Sequence, residues 1–153
     1  RERKEIESDM QAQALIHLLP VHMTSTLPGI LDTLGERIKV CSSEINGNTH
    51  AFCQAHALVS VSYNQADEMV QRIIAIFREI DWLCPSHIKV VIDAANSTRQ
   101  LLTVIQMACG DIRNAGCFQA TFSNWGTVSL VQSLLAQSSA DMRNALNKLT
   151  GHA

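Results

Sequence analysis

Between Asn48 and Pro85 the chain runs for about 35 residues without a glycine or a proline. A stretch of that length with no residue able to break it can be read for periodicity alone. Written as heptads, the first positions are Phe52, Val59, Ala66, Ile73 and Ile80. The fourth positions are Ala55, Ser62, Met69, Ile76 and Leu83, and the fifth are His56, Tyr63, Val70, Phe77 and Cys84. The register holds without a slip, which predicts one helix roughly 50 Å long at 1.5 Å per residue. An inward stripe three positions wide needs two neighbouring helices to cover it. A break near Ser60-Val61-Ser62, where Ser and β-branched residues crowd, is the competing reading.

The flanking segments follow the same rule. Residues 26–46 place Leu27, Leu31, Leu34, Ile38, Cys41 and Ile45 at alternating spacings of four and three, with Thr26 as N-cap, Pro28 in the first turn and Gly47 as C-cap. Residues 86–114 carry Ile88, Val91, Ala95, Leu102, Ile105, Cys109 and Ile112, with Ser86 as N-cap, Thr98 in an inward place, Gly110 admitting a close neighbour and Gly116 as C-cap. Residues 117–124 read as a loop or short turn in which Phe118 and Phe122 plug one end of the fold. The last helix starts near Ser123 or Asn124 and runs to Thr150, with Val128, Val131, Leu135, Ser138, Met142, Ala145 and Leu149 inward. Ahead of these, Ile6, Met10, Ala14 and His17 recur at helical spacing up to Pro20. The expected architecture is all-α: an up-down antiparallel bundle of four long helices plus an N-terminal fifth helix. Short connections force neighbours to run antiparallel. Residues 1–153 are expected to form one domain, and the opening Arg1-Glu2-Arg3-Lys4-Glu5 suggests a piece of a larger protein.

Charge and cysteine content narrow the function classes. Only 17% of residues are charged, and 12 basic against 14 acidic residues give a formal net charge of -2. Such a chain offers no basic field for phosphates, so no nucleic-acid partner is expected. No apolar run spans a bilayer. Five cysteines without a CxxC pair read as reduced thiols of a cytoplasmic protein, mostly small core residues, with Cys117 the one suspected of exposure.

Catalytic and metal-binding patterns are weak. His50, Cys53 and His56 form an H-x2-C-x2-H string, but on a helix the two histidines sit about 120° apart in phase, and zinc needs four converging ligands. Neither histidine is followed by the lysine and small residue usual in histidine phosphotransfer bundles. No Glu-x-x-His string for a di-iron centre and no G-x-S-x-G string occurs. Asp67, Glu68 and Asp81 fall at outward heptad positions. The chain is therefore expected to be non-enzymatic, with no metal and no cofactor.

The polar faces are distinctive. Asp93-Ala94-Ala95-Asn96-Ser97-Thr98-Arg99-Gln100-Leu101-Leu102 is one example, and Ala136-Gln137-Ser138-Ser139-Ala140-Asp141-Met142-Arg143-Asn144-Ala145-Leu146 is another. Long helices with Ala, Ser, Gln, Asn and Thr outside resemble the rod and tail bundles of talin, vinculin and α-catenin, and are similar to focal-adhesion-targeting bundles. The resemblance rests on composition and helix length over most of the chain. It implies an intracellular adhesion or cytoskeletal scaffold that docks an amphipathic helical peptide or actin on its outer faces. The candidate partner-binding residues are Arg72, Arg78, Lys89 and Arg99, scattered over the two central helices, and Trp82. Trp82, Ile74 and Val61 fall off the main stripe, so they either touch a further helix, the favoured reading, or belong to a partner groove. A self-assembling helical domain is the alternative, with Trp82 and the wide stripe facing another copy.

Overall fold

The computed structural model describes residues 3, 10, 21–82 and 85–150. The elements are α1 (Val21–Ser43), α2 (Thr49–Glu79), α3 (Pro85–Cys109), a single 3-10 turn (Ile112–Asn114), α4 (Ala115–Phe122) and α5 (Trp125–Thr150). Among the described residues there is no strand. Arg3 and Met10 are also helical; the rest of the expected N-terminal helix, with Pro20, lies outside the described residues, as do Leu83, Cys84 and Gly151.

The long central helix forms as its sequence dictates. Asn48 caps it, its side-chain oxygen accepting the N–H groups of His50 at 2.7 Å and Ala51 at 3.2 Å. No break occurs at Ser60-Val61-Ser62. Ser62 faces inward and its hydroxyl accepts a 2.6 Å bond from Arg37 of α1, so the polar group is satisfied. The helix stops at Glu79, short of Pro85: the Ile80 N–H turns back to the Phe77 carbonyl. Phe52, Val59, Ala66 and Ile73 of the first heptad position are buried, as are His56, Tyr63, Val70 and Phe77 of the fifth; Met69, Ile76 and Ile80 are half-buried against the same core.

Other boundaries also differ from the sequence expectation, and α1 ends at Ser43, not Asn46. Residues 21–25 are helical rather than a connection, so Thr26 is no cap and Pro28 sits inside α1. The missing proline N–H leaves the carbonyl four residues earlier without its partner, yet the helix continues across it. Pro85, not a residue after Ser86, opens α3, where a missing N–H costs nothing. At its other end α3 stops at Cys109, not Asn114. The Gly110 N–H closes the last turn on the Gln106 carbonyl at 2.7 Å, and Asp111 then caps a new turn by accepting from the Arg113 N–H at 2.8 Å. Ile112 is consequently exposed rather than in the core. Phe118 and Phe122 lie on a helix, α4, not in a loop, and Gly116 stands in its first turn rather than ending α3.

α1 packs on α2 and α5, and α3 packs on α2 and α5. The predicted inward residues Leu27, Leu31, Leu34, Ile38 and Cys41 are wholly buried, as are Ile88, Val91, Ala95 and Leu102. Each such aliphatic side chain contributes about 1.5–3 kcal/mol relative to exposure. In α5 the buried serine is Ser139, not Ser138; its hydroxyl donates to the Pro28 carbonyl at 2.9 Å. Gly35 lets α5 approach α1: a β-carbon there would meet Gln132 Cγ at 3.4 Å. Thr98 is buried and bonds its own α3 backbone at Ala94.

Candidate functional site

The five partner-binding candidates stay apart. Arg72 pairs with Glu68 one turn away at 2.7 Å, and Lys89 with Asp93 at 3.5 Å, both pairs on solvent-exposed faces. Such exposed pairs contribute little. Arg78 and Arg99 are exposed. Arg72 and Arg78 are six residues apart on α2, about 120° in phase. Among the described residues no hydrogen bond or ion pair links any two of the five.

Trp82 is 70% exposed, its indole N–H donating to the Glu79 carbonyl at 3.1 Å. Val61 is exposed too, so the core reading fails for both and holds only for Ile74, which is buried. Ile74 lies 18 residues, five full turns, after the buried His56 and shares its phase, whereas Trp82 lies beyond the end of α2.

The histidine and cysteine string points three ways. His50 and Cys53 face solvent, whereas His56 is buried with its Nε2 3.0 Å from the Ala108 carbonyl. A carbonyl only accepts, so Nε2 carries the proton. The His56 ring stacks on Phe52 and meets Phe118 edge-on at 5.3 Å, and Phe118 in turn packs on Phe122. The two α4 aromatics thus close the core beside the ends of α1, α2 and α3, and the hydroxyl of Ser42 ties α1 to the Phe122 carbonyl at 2.7 Å. Among the described residues no group of three His, Cys, Asp or Glu side chains is placed to hold a metal ion.

Cys41 and Cys109 are core residues; Cys53 is exposed, against the expectation, and Cys117, suspected of exposure, is half-buried. Burial, with Cys53 and Glu44 adding to it, pushes the Cys41 thiol up to about 12. Burial raises Cys109 as well. Neither is a nucleophile near neutral pH.

A groove of about 390 Å³ lies between α1 and α2. Val40, Ala55 and Leu58 supply its apolar lining, and Asp32 and Glu36 stand on its α1 rim. Arg37 closes it with Nη1, which donates to the Leu58 carbonyl at 3.2 Å as well as to Ser62. Val40 and Leu58 are about half exposed. Sequence reasoning passed over both, because each is a lone apolar residue beside a regular stripe. Their meeting across two helices has no signal in either helix alone. A second apolar surface lies on the outward face of α3, where Val104 is 79% and Met107 65% exposed.

No protein-family model matches the chain, and neither a curated protein nor a solved structure shows significant similarity to it. No described helix is long and apolar enough to cross a membrane.

Proposed function

We propose that this chain is a non-enzymatic protein-interaction module of an intracellular, cytoplasmic scaffold of the adhesion or cytoskeletal kind. Its four long helices form an up-down antiparallel bundle, and a partner's amphipathic helix docks between α1 and α2. The observation that carries the reading is the groove of Val40, Ala55 and Leu58, an open apolar channel between two parallel-sided helices with carboxylates on its rim. Helix-in-groove recognition uses such a channel, with apolar anchors at helical spacing inside it and polar contacts at its edge. The scattered cations Arg72, Arg78, Lys89 and Arg99 then act as solvated surface charge, two of them already paired.

The test is capture of partners from cell lysate on the immobilised chain, with F-actin co-sedimentation alongside, each repeated with Leu58→Asp. Adhesion or cytoskeletal proteins that bind the native chain and are lost from the Leu58→Asp chain support the reading. Partners retained equally by both sink the groove as the docking site.

Self-assembly is the second reading, favoured by the exposure of Val104 and Met107 on one outward face of α3. Light scattering at low micromolar concentration separates the two. A stable dimer that Val104→Asp dissociates moves the conclusion to an assembly domain, and a monomer removes it.

A further inference from the structure

We propose that Asn46 is a site of spontaneous covalent modification, at which its side-chain amide becomes a carboxylate through a cyclic imide closed on the main-chain nitrogen of Gly47. The reaction requires that the nitrogen of the following residue reach the asparagine side-chain carbonyl carbon. A β-carbon on that following residue obstructs the approach, and glycine has none. Asn46-Gly47 is the single Asn-Gly pair in the sequence. Both residues are exposed and lie past the end of α1, in the turn that leads to the Asn48 cap of α2. The backbone there is held lightly: the Gly47 N–H donates to the Glu44 carbonyl at 3.0 Å, a turn bond outside any helix, which must open before the nitrogen can react.

The Glu44 carboxylate lies on the side of Gly47 where a β-carbon would stand. A β-carbon built on Gly47 would lie 3.0 Å from Glu44 Oε2. Hydroxide or a buffer base takes the proton released by the Gly47 nitrogen as the new N–C bond forms on Asn46 Cγ. The Cγ–Nδ2 bond then breaks as a proton returns through water to Nδ2, and ammonia leaves. Water adds to one of the two imide carbonyls and opens the ring to aspartate or isoaspartate. The net change is amide plus water to carboxylate plus ammonia, with no oxidant or reductant. Asn64, Asn96 and Asn144 lack these conditions. They sit inside helices and are followed by Gln65, Ser97 and Ala145, each with a β-carbon.

The product changes the α1–α2 junction. The first turn of α2 has no acidic residue of its own. A carboxylate at position 46 places negative charge near the positive end of that helix dipole, while the isoaspartyl form lengthens the link between the helices by one carbon.

The experiment follows the folded chain over weeks in mildly alkaline buffer by peptide mapping, reading a gain of about one mass unit at each asparagine and the ammonia released. Conversion at Asn46 is expected to outpace that at Asn64, Asn96 and Asn144 by about tenfold or more, and Gly47→Ala to slow it by a similar factor. Gly47→Ala is expected to fold, because its new methyl crowds only the movable end of Glu44, at 3.0 Å, and makes ordinary contacts of 3.5 and 3.8 Å with the Glu44 backbone; circular dichroism checks this. Conversion at Asn46 no faster than at Asn64, Asn96 and Asn144, or an unchanged rate in folded Gly47→Ala, overturns the proposal.

Discussion

The Tyr63 hydroxyl donates to the main-chain carbonyl of Leu102 at 2.9 Å, and the same ring occupies the space that a side chain on Gly110 would need. A β-carbon at Gly110 would stand 2.8 Å from Tyr63 Cε1, closer than such atoms come. Around this contact three side chains of α2 serve carbonyls in the last two turns of α3 and just beyond. Tyr63 takes Leu102, His56 takes Ala108, and Asn64 takes Gly110 at 3.1 Å. The end of α3 is therefore set by α2 as much as by its own sequence.

Gly110→Ala is expected to destabilise the fold by about 1–3 kcal/mol, the usual range for overpacking a filled site. Tyr63→Phe keeps the ring and removes one hydrogen bond, at a cost of about 1 kcal/mol. Urea denaturation of both variants and of the double variant checks this. If Gly110→Ala is neutral in the urea series, the close approach to Tyr63 is not a packing constraint.

Phe118→Ala removes the ring that bridges Phe52, His56 and Phe122. The expected loss is about 3–5 kcal/mol, the range for a buried aromatic. Thermal unfolding measures it. A loss comparable to that of an exposed substitution such as Ile112→Ala would mean that α4 is not part of the cooperative core.

Thiol labelling distinguishes the cysteines. With burial holding Cys41 and Cys109 protonated, Cys53 is expected to be alkylated ahead of Cys117 in the folded chain at neutral pH and Cys41 and Cys109 only on unfolding. Mass mapping after brief iodoacetamide treatment reads the order directly, and early labelling of Cys41 would contradict the burial of α1.

Alkaline pH is expected to unfold the protein. Burial raises the Cys41 thiol from 9.0 to about 12, and burial with Asp67 nearby raises the Tyr63 phenol from 10.0 to about 12. Both groups hold their protons more tightly in the folded state. Their contribution is therefore complete below the unfolded values and is lost as pH rises from 9 through 12. Urea denaturation at a series of pH values should show stability falling across this window, and falling less steeply in Tyr63→Phe from its lower starting point. An equal fall in both chains would mean that the phenol ionises without penalty.

How far the sequence could be read depended on the kind of information needed. The buried phase of each long helix was legible, because apolar residues at Leu27 through Cys41 or Phe52 through Phe77 repeat at helical spacing, and repetition averages out local exceptions. Boundaries were not. The signals at Pro28 and Gly116 are local, and helix continuity across Pro28 depends on packing against α5 that no local rule sees. The edge of a buried arc was also hidden. Ser138 and Ser139 differ by 100° of phase, and which one turns inward is fixed by the position of α1. For the same reason the groove at Val40 and Leu58 was invisible, while the candidates chosen for charge, Arg72 to Arg99, turned out not to meet.

The extensive packing of α1 on α5 joins the first and last long helices of the described chain. Roughly 80 residues separate the end of one from the start of the other, which at ribosomal rates of 5–20 residues per second is a delay of about 4–16 s. Throughout that interval, among the described helices, the leucines of α1 that α5 will cover have only α2 for shelter. A nascent chain stalled before Trp125 would present them to chaperones, and this core commits only when α5 clears the exit tunnel.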